Sequence, residues 1–332
     1  MSARRAEAGA DPRRPEEGRL APVLEPGPPM TEKARLRRSP GPIVDLAADG
    51  PRVAVLTRRG WFITNESGVE SWHGEEIVGA PHWLSGAEAI ALKGDRVYIL
   101  EPQRSILSVW DENGVRRGEI SIPVRRDLAQ RGTEVLLGPS GRPVVVLQGM
   151  DQDGTAYWEI LELDSNGQIT GMVSLPSKEE TAIYQEPKLA VRGPALLSMS
   201  SLSQELWAVD LAHGELHPVA VREAPPLWTL PREERRKHRE LLARMPGTMA
   251  RVARLPEYWP PVRDFTVLKD GTVVQVTAAG EETVQLERLT TRLEPLGRAN
   301  SGGFSHPVFL SRGRVFVVED RTEETVVYEL FF

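Results

Sequence analysis

Two aspartates that occur in similar local sequences are the residues whose type and spacing could support chemistry. Asp45 lies in the segment PIVDL, and Asp264 lies in the segment PVRDF. Two carboxylates together with an imidazole such as that of His306 could hold a hard cation and activate a water molecule. The same carboxylates could instead accept hydrogen bonds from backbone N–H groups, which is the more common role of polar side chains that line a channel. The residues alone leave both alternatives open.

A wider set of candidate residues lies near the starts of predicted strands. These strands would be the ones closest to a common axis, and ligand sites often form in the concave space around such an axis. The members of this set are Asp45, His82, Glu134, Glu186, Arg263, Asp264 and His306. Three aromatic residues form a second set, which could offer a platform to a sugar ring or a peptide. These are Trp228, Tyr258 and Trp259. Aromatic residues at such places more often anchor a segment to its domain, so this role also stays open.

Recognisable catalytic motifs are missing from the sequence. It contains no G-x-S-x-G, no H-E-x-x-H and no P-loop, and its histidines show no metal-ligand spacing beyond His213-x-x-x-His217. Zero cysteines exclude thiolate metal sites and cysteine nucleophiles. We therefore predict no catalytic residue and no cofactor, and the sequence does not identify a metal.

Charge and hydropathy limit the partners. A formal net charge of −6 over 332 residues argues against nucleic-acid binding. No apolar run approaches the roughly 20 residues that a membrane span requires, and the N-terminus lacks the apolar region of a signal peptide. We expect a monomer that is cytoplasmic as the sequence is written, or exported if translation starts elsewhere, and that binds a protein, peptide or carbohydrate.

A repeat indicates the elements that must position these residues. The pattern D-x-N-G-x-x-x-G-x-x-x-[Ile/Leu]-P occurs at 111–123 and again at 164–176. Six glycines also lie in predicted turns between two apolar runs: Gly50, Gly94, Gly141, Gly193, Gly271 and Gly313. Each of these turns joins two strands of a hairpin, and Asn-Gly supplies the positive φ of a further hairpin turn. Most units continue to four strands, which is typical of a β-propeller blade.

The fold prediction is therefore an all-β, six-bladed β-propeller with four-stranded antiparallel blades. We assign 41–332 to the propeller and 1–40 to a disordered tail rich in proline and arginine. The long gap between the fourth and fifth glycines predicts an insertion at 224–257, between blades 4 and 5, whose apolar spacing favours helix. The last unit ends after three strands, so 19–26 or 33–40 is expected to supply the closing strand.

The segment VYILEPQRSILSVWDENG at 97–114 resembles an NHL-type repeat, in which Val97, Tyr98, Ile106, Asp111 and Gly114 match the family pattern. From about residue 40 onward the chain looks like bacterial six-bladed propellers related to NHL-repeat proteins, a group that is often exported. Catalytic six-bladed relatives of the gluconolactonase type hold a metal at the axis with carboxylate and asparagine side chains. This chain has four asparagines, each in or near a predicted outer turn, so the resemblance does not favour a lactonase.

The leading functional prediction is a non-enzymatic binding or scaffolding propeller that presents its axial face to a partner. The alternative is a metal-dependent hydrolase or lyase with Asp45, Asp264 and His306 around the axis. Convergence of these side chains on one point would favour the enzyme, whereas a channel filled by apolar side chains would favour the binding module.

Overall fold

A computed structural model shows a ring of β-sheets. It describes residues 30–36, 42–64, 70–74, 86–125, 129–150, 156–175, 186–201, 204–222, 236, 239–240, 243–244, 262–278, 284–300, 307–320 and 324–332.

Twenty-four strands make up the described part of the chain. In chain order they are β1 (Met30–Leu36), β2 (Ile43–Asp49), β3 (Arg52–Thr57), β4 (Gly60–Thr64), β5 (Glu70–Gly74), β6 (Ala89–Lys93), β7 (Arg96–Glu101), β8 (Ile106–Asp111), β9 (Arg116–Ser121), β10 (Arg131–Leu137), β11 (Pro143–Met150), β12 (Ala156–Leu163), β13 (Ile169–Leu175), β14 (Pro187–Arg192), β15 (Ala195–Ser200), β16 (Glu205–Asp210), β17 (Glu215–Val221), β18 (Val262–Val267), β19 (Val273–Ala278), β20 (Val284–Leu289), β21 (Pro295–Asn300), β22 (Val308–Ser311), β23 (Arg314–Asp320) and β24 (Thr325–Leu330).

These strands form six antiparallel four-stranded sheets. Blades 1 to 5 are β2–β5, β6–β9, β10–β13, β14–β17 and β18–β21, and the sixth blade has the order β1-β24-β23-β22. The first strand of each blade contacts the first strand of a neighbour, for example β2 with β6 and with β22. These six first strands therefore surround the axis, and the predicted six-bladed propeller with four-stranded blades is confirmed.

All six turn glycines that the repeat indicated lie between the two innermost strands of a blade. They have positive φ, from 55° at Gly193 to 89° at Gly271. Glycine adopts this conformation without the steric penalty that a Cβ atom imposes. The two D-x-N-G turns also form as predicted, because the Asp111 and Asp164 side chains each accept backbone N–H bonds from the turn that follows.

The hydrophobic core is divided among the interfaces between blades. Each of six buried clusters combines residues of two adjacent blades; for example, Leu100 of blade 2 packs in one cluster with Val145 and Leu147 of blade 3. An isolated blade would leave both apolar faces in water, whereas a closed ring buries both faces of every blade.

Strand β1 completes the sixth blade. It pairs antiparallel with β24, from Met30 opposite Leu330 to Leu36 opposite Thr325. Of the two segments considered for this role, 33–40 overlaps β1, whereas 19–26 lies outside the described residues. Part of the segment assigned to a disordered tail is therefore an outermost strand.

The predicted helical insertion at 224–257 is not supported. Only five of its residues are described, and they form no continuous helix, although Arg236, Arg239 and Glu240 have helical backbone and the N–H of Ala243 donates to the carbonyl of Arg239 at 2.9 Å. Helical spacing of apolar residues was the basis of that prediction, and Pro246, which cannot donate a backbone hydrogen bond, interrupts the same segment. No helix among the described residues is long and apolar enough to cross a membrane.

Candidate functional site

Three carboxylates occupy equivalent positions in alternate blades. The pairing of the innermost strand with the second strand shifts register between Ile43 and Asp45 in blade 1, between Gly132 and Glu134 in blade 3, and between Val262 and Asp264 in blade 5. Such a β-bulge inserts one unpaired residue and re-aims the side chains beside it, which is a common device next to functional sites. Asp45, Glu134 and Asp264 all line one axial cavity.

The cavity has a volume of about 480 Å³ and is lined by residues of all six innermost strands. This volume lies within the ordinary range of small-molecule sites. The three carboxylates lie at the end where the innermost strands begin, and Ser311 and Arg312 lie at the opposite end. The axis is therefore an open space with one acidic end, and apolar side chains do not fill it.

A lysine lies among the acids. Lys188, near the start of β14 in blade 4, donates to Glu186 with an Nζ–Oε2 distance of 2.6 Å, and its side chain is 19% exposed. Burial alone would lower the pKa of this ammonium, but the negative charges of Glu186, Glu134 and Asp264 raise it above its ordinary value. Lys188 therefore stays protonated inside the cavity.

The two aspartates are held by backbone donors. Asp45 accepts hydrogen bonds from the N–H of Leu46 at 2.7 Å and from the N–H of Ile90 in blade 2 at 2.8 Å. Asp264 accepts one from the N–H of Phe265 at 2.7 Å and another from Leu310 in blade 6. The structural role that the sequence left open is thus present, since each aspartate links two blades.

The third carboxylate is different. Glu134 Oε2 and the neighbouring Thr133 Oγ1 are buried atoms that have no hydrogen-bond partner in the described part of the chain. A buried polar atom without a partner costs free energy, so its retention calls for a partner such as a bound molecule or water. Glu134 is therefore the one of the three carboxyl groups that has a buried oxygen without a partner in the described part of the chain.

Burial raises the pKa of all three groups. It raises the pKa of Asp45 to about 6, although the backbone donors and Lys188 lower it. It raises the pKa of Asp264 to about 7, with Lys188 lowering it and Asp45 raising it further. The pKa of Glu134 lies well above its ordinary value, because burial and the nearby acids outweigh Lys188. Each side chain is only half-buried because it faces the cavity, but each lies deep within the ring.

Four of the residues predicted from sequence, Asp45, Glu134, Glu186 and Asp264, lie together in this cavity, and Arg263 lines its exposed rim. The remaining candidates lie outside the described residues: His82, His306, Trp228, Tyr258 and Trp259. Sequence reasoning missed Lys188 and Thr133. A cation at the start of the apolar innermost strand PKLAV was the available signal for Lys188.

These side chains do not fit a resident metal ion. Among the described residues, no group of three or more His, Cys, Asp or Glu side chains is arranged to hold one. A protonated ammonium interacts with Asp45, Glu134 and Asp264, and two backbone N–H groups already occupy both oxygens of Asp45.

Comparison with solved structures gives several matches over nearly the whole chain. The chain is similar to regucalcin from Agrobacterium tumefaciens, a calcium-binding protein (14% identity, 94% of this chain and 95% of that chain, TM-score 0.52). It is similar to a gluconolactonase from Xanthomonas campestris (13% identity, 94% and 97%, TM-score 0.51). It is also similar to a member of the DUF4221 family from Bacteroides vulgatus (11% identity, 93% and 99%, TM-score 0.56).

No protein-family model matches the sequence, and no curated protein is significantly similar to it. The relation to NHL-repeat proteins is therefore not shown, whereas the six-bladed propeller fold is. The structural neighbours contradict the leading functional prediction, a non-enzymatic binding or scaffolding propeller, because they include a gluconolactonase. That prediction is therefore not retained.

Proposed function

We propose that the axial cavity is the active site of a hydrolase that cleaves the ester bond of a small polar substrate, in particular a lactone, without a metal ion. One observation carries this proposal: three carboxyl groups from alternate blades line the same cavity as a lysine ammonium. Ester hydrolysis needs a base for water, a positive group for the developing oxyanion and an acid for the leaving alcohol. The cavity contains a candidate for each role.

Asp264 is the candidate general base. Its pKa of about 7 leaves a large ionised fraction at neutral pH, and a base is most effective when its pKa lies near the working pH. In the first step, an Asp264 oxygen accepts a proton from water as the water oxygen forms a bond to the substrate carbonyl carbon. The carbonyl π electrons move to the carbonyl oxygen and give a tetrahedral oxyanion.

Lys188 and Glu134 are the candidates for the other roles. The Lys188 ammonium stabilises the oxyanion and keeps its own proton, as its raised pKa requires. When the oxyanion collapses, the C–O bond to the alcohol breaks. Glu134, whose pKa burial raises well above its ordinary value, gives its proton to the leaving oxygen. Proton exchange with solvent then restores both carboxyl groups.

The match to a gluconolactonase supports a lactone as the substrate, and a cavity of about 480 Å³ accommodates a molecule of monosaccharide size. The scarcity of asparagine argues against a metal-holding lactonase site, but it does not bear on a route that uses only carboxyl groups and an ammonium. The monomeric state and the cytoplasmic location stay predictions from the sequence.

A panel of sugar lactones and simple esters tests the proposal, with acid release followed at several pH values. We expect kcat to fall about 100-fold or more in Asp264→Asn, since a general base contributes about 10²–10⁴ to rate. We expect wild-type kcat/KM to rise with pH through about 7, as Asp264 loses its proton. Asp270→Asn, which changes an exposed carboxylate of the same blade, is the control and should keep wild-type activity. No hydrolysis of any lactone or ester, or full activity in Asp264→Asn, would overturn the proposal.

A further inference from the structure

We infer that Thr133 is a specificity-determining residue of the axial cavity, and that its hydroxyl group forms a hydrogen bond with a hydroxyl group of the substrate close to the ester bond. The inference rests on the proposed function, because it takes the ligand to be the substrate of the same site. It narrows the substrate class to lactones that carry hydroxyl groups beside the ester.

Thr133 is one of three residues that β-bulges leave out of the strand pairing around the axis. The pairing of the innermost with the second strand skips Thr133 in blade 3, Val44 in blade 1 and Arg263 in blade 5. Each of the three lines the cavity and directly precedes one of the three cavity acids. A bulge re-aims the side chains beside it, which suits these positions to contact with a ligand.

The bulge itself does not require a hydroxyl group. Val44 occupies the equivalent position in blade 1, and valine has the branched shape of threonine with a methyl group in place of the hydroxyl. Both residues are half-buried. The local backbone therefore accepts either side chain, and it does not explain why blade 3 carries a hydroxyl group here.

Three hydroxyl side chains of the described residues line the cavity, and two of them have structural partners. Ser311 Oγ accepts the N–H of Ala48 at 3.0 Å, and Thr266 Oγ1 accepts the N–H of Gly313 at 2.8 Å. Thr133 Oγ1, by contrast, is a buried atom without a hydrogen-bond partner in the described part of the chain. Such an atom costs free energy, so a role in binding accounts for its retention.

Ligand binding is expected to rotate this side chain. Thr133 as a whole is half-buried and lines the cavity, whereas its Oγ1 is buried. The staggered positions of a side-chain oxygen about the Cα–Cβ bond are about 120° apart, and a rotation between them changes which group of a threonine faces a ligand. We therefore expect Oγ1 to turn towards the substrate when the substrate binds.

The position of Thr133 indicates which substrate hydroxyl it binds. Consecutive Cα atoms are about 3.8 Å apart, so Thr133 lies directly beside Glu134, the candidate acid for the leaving alcohol. A substrate whose leaving oxygen contacts Glu134 has the carbon atoms next to that oxygen close to Thr133. A hydroxyl group on these atoms gives Thr133 a partner, whereas a lactone without hydroxyl groups leaves Thr133 unpaired and is bound less well.

Two lactones with the same six-membered ring test this preference. Glucono-1,5-lactone carries hydroxyl groups, and δ-valerolactone carries none. We expect Thr133→Val to lower the ratio of kcat/KM for the first lactone to kcat/KM for the second by at least about 5-fold. Thr133→Ser keeps a hydroxyl group and should retain the wild-type ratio. Thr64→Val is the matched control and should also retain it, because Thr64 is a buried threonine outside the cavity.

Binding and stability can be measured without the reaction. 1,5-Anhydroglucitol has a hydroxylated six-membered ring and no ester bond, so ligand-observed NMR follows its binding even if no lactone is hydrolysed. We expect wild type and Thr133→Ser to bind it, and Thr133→Val to bind it at least about 5-fold more weakly.

Thermal unfolding separates a binding role of the hydroxyl group from a structural one. Thr133→Val removes an unpartnered hydroxyl and should melt no lower than wild type. Thr64→Val should melt lower than wild type, because Thr64 Oγ1 accepts the N–H of Val53 at 3.0 Å.

The outcomes distinguish this inference from the proposed function. If no lactone is hydrolysed but Thr133→Val weakens the binding of 1,5-anhydroglucitol, the proposed reaction fails and recognition of hydroxyl groups by Thr133 is supported. The inference is overturned if Thr133→Val leaves the lactone ratio or the affinity for 1,5-anhydroglucitol unchanged, or if wild type does not bind this compound. A melting temperature of Thr133→Val as low as that of Thr64→Val would also overturn it, because the hydroxyl group would then have a structural partner.

Discussion

At the scale of the residue, the three cavity acids differ in what holds them. Asp45 and Asp264 each accept two backbone N–H bonds and join neighbouring blades, so part of their cost of burial is offset. Glu134 has one longer side-chain carbon and an unpartnered Oε2. It is the least stabilised of the three as an anion, which agrees with the direction of its pKa.

Glu134→Gln should stabilise the protein at alkaline pH. Burial raises the pKa of Glu134 above its ordinary value of 4.5, so the folded state keeps a proton that the unfolded chain has released. Wild-type stability therefore falls as pH rises from the unfolded pKa towards the folded one. Glutamine resembles the protonated acid and lacks this loss. We expect nearly equal stabilities at about pH 4 and a higher free energy of unfolding for Glu134→Gln than for wild type at about pH 8.

Urea unfolding at the two pH values measures this difference. Glu294→Gln, which alters an exposed glutamate, is the control and should show no such pH dependence. An equal or lower stability of Glu134→Gln at alkaline pH would contradict this prediction. It would mean that the Glu134 anion stabilises the folded protein.

At the scale of the element, the two copies of the repeat pack differently. Gly118 in β9 and Gly171 in β13 each follow a one-residue bulge in the outermost strand. A Cβ atom built at Gly118 would meet no described heavy atom within 4 Å, whereas one built at Gly171 would lie 2.6 Å from the carbonyl oxygen of Leu211 in blade 4. That carbonyl also accepts the N–H of Met172, so the backbones are close at this interface.

Gly171→Ala should therefore destabilise the protein and Gly118→Ala should not. Backbone atoms must move to admit the new methyl group at 171, and overpacking of this kind costs about 1–3 kcal/mol. The substitution at 118 enters open space and should change the free energy of unfolding by less than about 0.5 kcal/mol. Chemical denaturation of the two variants decides the matter, and equal effects would show that blades 3 and 4 do not approach as described.

Ion pairs between arginine and glutamate side chains also link successive blades. Arg222, which follows the outermost strand of blade 4, makes two hydrogen bonds to Glu287 in the third strand of blade 5, at 2.7 and 2.9 Å. Arg125, which follows the outermost strand of blade 2, reaches Glu159 in the third strand of blade 3 at 2.9 Å. The shared geometry shows that the blades repeat their contacts with each other as well as their strands.

At the scale of the whole molecule, stability depends on closure of the ring. β1 covers the edge of β24, and its Ala34 packs in the cluster that contains Phe316 and Val327. Lys33 pairs with Glu329 at 3.1 Å. The sixth blade is thus assembled from both ends of the described chain.

Deletion of residues 1–36 should open this edge. Loss of β1 leaves the backbone groups of β24 unpaired and exposes apolar side chains, which favours self-association. We expect a melting temperature at least about 5 °C lower and oligomers in light scattering. Deletion of residues 1–29 keeps β1 and should leave both properties unchanged, so equal behaviour of the two deletions would argue against closure by β1.

The amino-acid sequence by itself determined the architecture of this protein. The turn glycines, the alternating strands and the missing last strand are local signals, and local signals are enough when each blade repeats the same hairpins. It also indicated Asp45 and Asp264, because both occur in the same short pattern. The incorrect functional prediction came from searching for known motifs, which describe residues that are close in sequence.

Only the tertiary structure decided which side chains line the same cavity. Glu134, Lys188 and Asp264 come from three blades and meet because the ring brings the starts of the innermost strands to one axis. The β-bulges beside these carboxylates can be recognised only from the strand pairing, which the sequence does not give. The raised pKa values of the cavity carboxyl groups depend on burial and on charges far apart in sequence. A short sequence motif therefore could not predict them.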